Sequence, residues 1–229
     1  MKILFNKINE HKFLTIIILI VIILFGISIN MKIHFNSIKQ EVDENFTDFQ
    51  FWDTNTNVKY YDEVDSIEKL FDEAPIIAKV KMTGEKEYLN QCILSTVELI
   101  NVYKNDTNLN LENKNIYIYE PVHVLQNNLT MYSTQGYIPM LKDEEYIVFL
   151  KSIKVPEGYK MSEKEKISFI YYNAKWGKYC SKGIEPYIID EKDVNLKYED
   201  IKNNNVILSR DDYNNLYSDY IDKINSLDN

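Results

Sequence analysis

Residues 76–82 read Ile-Ile-Ala-Lys-Val-Lys-Met, and this stretch decides the fold class. Its odd positions Ile77, Lys79 and Lys81 alternate with the apolar even positions Ile76, Ala78, Val80 and Met82. Because successive side chains of a strand point to opposite faces, the alternation predicts a β-strand with one buried face. The stretch Glu145–Leu150 is apolar on both faces, which is typical of a central strand.

Further strands are predicted on either side of these two. In Cys92–Tyr103 the alternation breaks near Leu99-Ile100, which indicates a bulge and a bend. Asn115–Glu120 alternates isoleucine with tyrosine, and Ile167–Tyr172 with Lys178–Cys180 form a predicted strand pair. Short strands separated by polar turns, without a strand–helix–strand rhythm, favour a barrel or sandwich over a parallel sheet.

Two helices are predicted to flank these strands. Ser66 is a typical N-cap for a short helix that runs to Glu73 and ends before Pro75. Near the end of the chain, Ser209 and Asp212 have the spacing of a capping box. Apolar residues then recur in steps of three and four, at Tyr213, Leu216, Tyr217, Tyr220, Ile221, Ile224 and Leu227. We expect this amphipathic face to pack on the domain itself rather than on a partner, because the domain needs the buried area.

Composition and charge exclude several classes of protein. The 229 residues include only 6 Gly and 5 Pro, which excludes a collagen-like chain, and they are 45% hydrophobic and 13% aromatic, which excludes a globally disordered one. The chain has 26 Lys and Arg residues against 35 Asp and Glu, a formal net charge of -9. Nucleic-acid binding through the phosphate backbone needs the opposite balance, so no nucleic-acid partner is expected.

The segment Phe13–Ile29 contains 17 residues without a charge. As a helix it would be roughly 26 Å long, which is enough for a short membrane span. An uncleaved anchor is favoured over a cleaved signal peptide, because the small residues Gly26 and Ser28 lie in an apolar context, and over a buried core helix. The lysine bias (Lys2, Lys7 and Lys12 before the segment, Lys32 and Lys39 after it) predicts a cytoplasmic N-terminus.

Four regions follow from this segment. Residues 1–12 are the cytoplasmic N-terminus, 13–29 the transmembrane helix that contacts the lipid bilayer, 30–61 a juxtamembrane stalk, and 62–229 an extracytoplasmic β domain with a C-terminal amphipathic helix. The aromatic residues Phe46, Phe49, Phe51 and Trp52 suggest that part of the stalk packs back onto the domain. The expected location is the cell membrane, with the bulk of the chain outside the cytoplasm.

Four matching segments occur in a recognisable order, namely Glu73–Lys81, Thr96–Lys104, Ile116–Pro121 and Leu141–Leu150. Together they resemble a bacterial family of exported or membrane-anchored, largely uncharacterised proteins. The resemblance implies a mainly β fold, an OB-like β-barrel related in shape to the netrin and TIMP modules. The inhibitory N-terminal cysteine of the TIMP proteins has no counterpart here, so the resemblance implies no inhibitor activity.

Few residues carry recognisable chemistry. A zinc site would combine His123 with Cys92 and Cys180, but the close spacings of zinc motifs are missing, and no glycine-rich phosphate loop occurs. No metal, cofactor or catalytic residue is therefore predicted. His123 is expected in a loop after Glu120-Pro121, and the two cysteines form either one disulfide or two free thiols.

The sequence predicts a binding or interaction module with a protein or other envelope partner, rather than an enzyme. The alternative is an enzyme, since the order His123, Cys180, Arg210 resembles that of sortase transpeptidases. In that family a cysteine thiolate attacks the substrate, histidine transfers protons and arginine stabilises the oxyanion. The contexts of His123 and Cys180 depart from the family pattern, and Arg210 is predicted in the first turn of the last helix rather than on a strand.

Overall fold

The structure is a computed structural model that describes residues 16–31, 48–54, 58–111, 115–125, 129–189 and 196–227. The chain divides into two compact units, residues 1–46 and 47–229. In the first unit, residues 16–31 form a helix, α1. No helix in the described part of the chain combines the length and apolar character needed to cross a membrane. The predicted cytoplasmic segment 1–12 and the first residues of the predicted span lie outside the described residues.

The second unit is mainly β. Its described strands are β1 (Gln50–Thr54), β2 (Ile76–Tyr88), β3 (Ile93–Asn105), β4 (Asn115–Glu120), β5 (Val122–Leu125), β6 (Thr130–Thr134), β7 (Glu145–Ser152), β8 (Ser168–Tyr171), β9 (Lys178–Cys180), β10 (Tyr187–Ile189) and β11 (Ile207–Ser209). The helices are a short 3-10 turn (Val58–Tyr60), α2 (Ile67–Glu73), α3 (Glu163–Lys166), α4 (Tyr198–Ile201), α5 (Arg210–Asp212) and α6 (Ser218–Ser226). A π-helical turn, Tyr213–Tyr217, joins α5 to α6, and the three together are called the terminal helix.

Five strands close into a barrel in the order β2-β3-β4-β8-β7, and β7 pairs back onto β2. Neighbours are antiparallel except β4 and β8, which are parallel. The predicted mainly β barrel is therefore confirmed. The predicted pairing of Ile167–Tyr172 with Lys178–Cys180 is wrong: β8 and β9 both pair with β7 and not with each other, because β7 is long enough to bind both along one edge.

Strand β3 bends where its alternation breaks. Lys79 pairs with Asn101 and Val80 with Leu99, so Ile100 has no register partner on β2. The bulge predicted near Leu99-Ile100 is confirmed. An extra residue increases the local twist, which helps a small sheet to close on itself.

The predicted buried face of β2 is confirmed, since Ile76, Ala78, Val80 and Met82 are fully buried. Residues on the other face of the barrel wall, among them Ile77, Ile147 and Phe149, pack against α2 and the terminal helix, forming a second core. Tyr217, Tyr220 and Ile224 supply the helix side of that core. The prediction that the terminal helix packs on its own domain is confirmed.

Both predicted N-caps are present. The Ser66 side chain accepts a hydrogen bond from the Lys69 N–H, and the Ser209 side chain accepts one from the Asp212 N–H. The Asp212 carboxylate accepts from the Ser209 hydroxyl and from Lys175 Nζ, both at 2.7 Å.

The predicted stalk needs a correction. Strand β1 runs parallel to β6, in a three-stranded sheet completed by β5, and Phe49 and Phe51 are buried. Residues 48–54 and 58–61 therefore belong to the folded unit, which begins at residue 47 rather than 62. The prediction that part of the stalk packs onto the domain is confirmed for Phe49 and Phe51, whereas Trp52 is 46% exposed. Residues 32–47 and 55–57 lie outside the described residues.

Candidate functional site

A cleft of about 530 Å³ lies where β3 begins and β4 ends. Four segments line it. They are residues 59–62, the turn between β2 and β3 at Gln91 and Cys92, the end of β4 with Tyr119 and Pro121, and the connection between β7 and β8 together with the ends of those strands. The turn is held by Leu89 N–H, which donates to the Cys92 carbonyl at 2.9 Å. In the long connection, α3 begins at Ser162 with a reciprocal capping box to Glu165.

Aromatic and aliphatic side chains make up most of the cleft wall. Four tyrosines contribute, with Pro121, Ile153, Val155, Pro156, Met161 and Ile170 among the apolar residues; the tyrosines are Tyr60, Tyr61, Tyr119 and Tyr159. Tyr60 and Tyr159 are about half exposed, whereas Tyr61 and Tyr119 are partly buried. Large planar side chains with a polar tip are suited to a ligand that has both an apolar body and polar groups.

The Cys92 thiol also borders the cleft. Burial raises its pKa to about 11, so the thiol is protonated at neutral pH. Burial, and secondly the neighbouring Cys92, raise the pKa of Tyr61 and of Tyr119. Since the thiolate is the reactive form, Cys92 is a weak nucleophile in this setting.

Three lysines and two carboxylates bring charge to the cleft. Lys151 forms an ion pair with Asp62. Glu165 accepts from the Tyr159 hydroxyl at 2.5 Å and from the Ser162 N–H at 2.7 Å. The Tyr159 bond is the main cause of a lowered pKa for Glu165, which is therefore ionised at neutral pH.

The other two lysines, Lys59 and Lys154, have no acidic partner among the described residues. Lys59 Nζ lies 5.0 Å from the centre of the Tyr60 ring. The lining groups thus carry a net charge of about +1 in a protein whose net charge is -9.

A buried polar network lies beside the cleft but does not line it. Glu120 is 0% exposed. One of its oxygens accepts from the Ser95 hydroxyl, and the other accepts from the Tyr137 hydroxyl and the Met140 N–H, both at 2.7 Å. The Tyr137 and Tyr171 hydroxyls lie 2.8 Å apart. A buried carboxylate with this many donors is well satisfied and holds three parts of the chain together.

Lys178 is the second buried charge, with an exposure of 3%. Its Nζ donates to the Asn205 carbonyl at 3.0 Å and lies about 5 Å from the ring centres of Tyr137 and Tyr146. Burial lowers the pKa of Lys178 to about 8, although the charge of Glu120 acts in the opposite direction.

Neither buried charge was singled out from the sequence. A signal existed for Glu120, since it follows Ile116 and Ile118 at the same spacing and therefore shares their inward face. Lys178 lies on a three-residue strand, which is too short for alternation to be informative.

The structure places the three residues of the transpeptidase alternative on three different elements. His123 lies on β5 rather than in a loop, so that prediction is wrong; it pairs with Tyr132 of β6, and the two rings stack with centres 4.9 Å apart. Cys180 is buried on β9, where its N–H donates to Asn205 Oδ1 at 3.0 Å. Arg210 begins the terminal helix directly after its cap, as predicted.

The electrostatics of these residues do not couple them. Burial raises the pKa of the Cys180 thiol, and the charges acting on it are those of Lys178, Glu144 and Lys182. Burial alone lowers the pKa of His123. Each residue therefore responds to its own surroundings and not to the other.

The two cysteines are free thiols, so the disulfide alternative does not hold. Within the described ranges, no three His, Cys, Asp or Glu residues are grouped so that they could hold a metal ion. Comparison of the sequence with known protein families and with curated proteins finds no match.

Proposed function

We propose that the protein is a single-pass membrane protein whose extracytoplasmic barrel is a binding module, and that the cleft beside Tyr119 and Cys92 is its binding site. The observation that carries the proposal is the position of this cleft. It lies between the connection of the first two barrel strands, residues 89–92, and the connection of the last two, residues 153–167.

The strand order supports an OB-like assignment. In that fold five strands form a Greek-key barrel, and ligands bind at the face of strands 2 and 3 and at the loops that join strands 1 to 2 and 4 to 5. Numbered along the chain, the barrel strands β2, β3, β4, β7 and β8 are strands 1 to 5, and the two loops in question line the cleft. The resemblance to exported bacterial proteins with OB-like barrels points the same way.

The membrane anchor rests on the uncharged segment Phe13–Ile29 and on the lysine bias around it. Residues 16–31 of this region form a helix, and residues 13–15 lie outside the described residues. In this arrangement the N-terminus is cytoplasmic, the bilayer is one partner, and the barrel meets an envelope ligand or protein outside the cell membrane.

Binding is proposed in preference to catalysis because neither thiol is activated. Burial raises the pKa of Cys92 and that of Cys180, and for Cys180 it outweighs the opposing charges of Lys178 and Lys182. A catalytic cysteine needs a lowered pKa that favours the thiolate.

Occupancy of the cleft can be tested with Cys92 as a native reporter. The full-length chain in detergent is treated with N-ethylmaleimide at pH 8, and modification of Cys92 is followed by peptide mass spectrometry with and without naphthalene-2-sulfonamide, a neutral aromatic probe. We expect the probe to slow the modification, because it would cover the thiol. Tyr119→Ala should weaken this protection several-fold, since aromatic contacts dominate such sites.

The matched control is Tyr117→Ala, which removes a tyrosine from the same face of β4 but outside the cleft lining. The proposal is overturned if the probe leaves the modification rate unchanged, or if the two variants lose protection equally.

A further inference from the structure

The net charge of the cleft lining is opposite in sign to the net charge of the chain. The chain as a whole carries -9, whereas the cleft lining has three lysines against Asp62 and Glu165. Both carboxylates are already engaged, Asp62 by Lys151 and Glu165 by Tyr159 and Ser162. The positive charge that remains belongs to Lys59 and Lys154, for which the described residues offer no acidic partner.

The two lysines stand beside apolar groups. Lys154 is exposed and is followed directly by Val155 and Pro156, and Lys59 is exposed and lies against Tyr60. The less exposed part of the wall includes Tyr61, Tyr119, Pro121 and Ile170, together with Lys151, which is paired with Asp62. The cleft therefore has a mainly apolar, aromatic interior, and Lys59 and Lys154 occupy two of its more exposed positions.

The volume of the cleft limits the size of the ligand. About 530 Å³ falls within the range of sites for small molecules, roughly 300–1,000 Å³. A long polyanion such as a nucleic acid would extend beyond the cleft and meet the acidic remainder of the surface, which repels it. A neutral ligand would gain nothing from Lys59 and Lys154.

Resting on the proposed function, we infer that the ligand of this cleft is a small amphipathic anion: a single carboxylate, phosphate or sulfate group attached to an aromatic or aliphatic body. The acidic group lies at Lys59 and Lys154, and the body packs against the tyrosines and Ile170. The acidic remainder of the protein makes the cleft selective for a small anion with one acidic group.

Two probes that differ only in charge test this inference, namely naphthalene-2-sulfonate and naphthalene-2-sulfonamide. Dissociation constants are obtained for the full-length chain in detergent from the protection of Cys92 against N-ethylmaleimide. We expect the sulfonate to bind about two- to five-fold more tightly per lysine that contacts it, which is typical of an exposed ion pair. An increase in ionic strength from about 0.05 to 0.5 M should weaken the binding of the sulfonate and leave the binding of the sulfonamide unchanged.

Single substitutions locate the effect. Lys154→Gln and Lys59→Gln should each weaken the binding of the sulfonate about two- to five-fold without changing the binding of the sulfonamide. Lys160→Gln is the matched control, because Lys160 is an exposed lysine of the same connection that does not line the cleft. Near-UV circular dichroism verifies that the variants are folded.

The inference is overturned if the two probes bind with equal affinity, or if Lys160→Gln weakens the binding of the sulfonate as much as Lys154→Gln does. Such results would leave the binding site itself in place, because the neutral probe would still protect Cys92. If neither probe protects Cys92, the proposed function fails as well. An oligothymidylate of eight nucleotides is included, and protection by it at concentrations below those of the sulfonate would also overturn the inference, in favour of a nucleic-acid site.

Discussion

At the scale of single residues, Glu120 carries the clearest energetic consequence. It is a carboxylate without solvent access, and its oxygens accept from Ser95, Tyr137 and Met140. The cost of its desolvation is offset only while these donors are in place. The residue is therefore a structural requirement beside the cleft rather than a part of it.

Replacing Glu120 by alanine should destabilise the fold by about 3–5 kcal/mol, because three buried donors lose their acceptor and a cavity forms. The measurement is the free energy of unfolding from urea titration followed by circular dichroism. Glu98→Ala, at an exposed position of β3, is the control and should change stability by no more than about 0.5 kcal/mol. Equal losses in both variants would contradict the network described for Glu120.

The lowered pKa of Lys178 should make the stability of the fold depend on pH. Its pKa is about 8 in the folded protein against 10.5 in the unfolded chain. Between these values the unfolded chain binds more protons, so the contribution of Lys178 to stability rises with pH, by up to about 1.4 kcal/mol per unit. Below pH 8 both states are protonated, and the cost of burying the charge is fully present.

The raised pKa of Cys92 acts in the opposite direction above pH 9, so the test is a difference. The free energy of unfolding of the wild type minus that of Lys178→Met should increase from pH 8 to pH 10, since both proteins share the cysteine contribution. A difference that stays flat over this range would show that Lys178 keeps its ordinary pKa.

At the scale of elements, Tyr220 is the main contact of the terminal helix with the barrel. Tyr220 is 1% exposed, its hydroxyl donates to the Trp176 carbonyl at 3.0 Å, and its ring contacts those of Trp176 and Tyr179 edge-on. The helix begins at Arg210, after the cap Ser209, and follows an amphipathic pattern. The contacts of the Tyr220 ring fix its position on the outer face of the barrel wall.

Tyr220→Ala should cost about 3–5 kcal/mol, whereas Tyr220→Phe should cost only about 1 kcal/mol because it removes the hydroxyl alone. Tyr213, in the preceding π-helical turn, is 37% exposed, and Tyr213→Ala should cost less than about 1 kcal/mol. The midpoints of thermal unfolding rank the stabilities of the three variants. A loss of stability in Tyr213→Ala as large as that in Tyr220→Ala would refute the packing described.

At the scale of the whole molecule, the proposed anchor determines where the protein is found. An arginine at the centre of the segment, Leu19→Arg, costs about 2.5–3.5 kcal/mol for insertion and should shift protein from the membrane pellet to the soluble fraction. Ile3→Arg places the same charge before the segment, where it agrees with a cytoplasmic N-terminus, and should leave the fractionation unchanged. A wild-type protein recovered as a soluble form that begins near Ile29 would contradict an uncleaved anchor.

Much of the barrel could be predicted from the sequence, because burial with a period of two is a local property. The strands around Val80, Ile118 and Val148, the bulge at Ile100 and the caps Ser66 and Ser209 all followed from neighbouring residues alone. Glu120 shares the spacing of Ile116 and Ile118, so the same periodicity could have indicated its burial, although not its hydrogen-bond donors.

Which segments meet was decided only by the tertiary structure. The parallel pairing of β4 with β8, the addition of β1 to β6 across about 80 residues, and the convergence of Tyr61, Cys92 and Lys154 on one cleft join positions that share no local pattern. The physical reason is that closure of the barrel fixes the ends of its strands, and the loops between them then come together whatever their separation in sequence. The sequence by itself determined the barrel strands, α2, the terminal helix and their buried faces; β1, β5, β6 and the cleft were decided only by the tertiary structure.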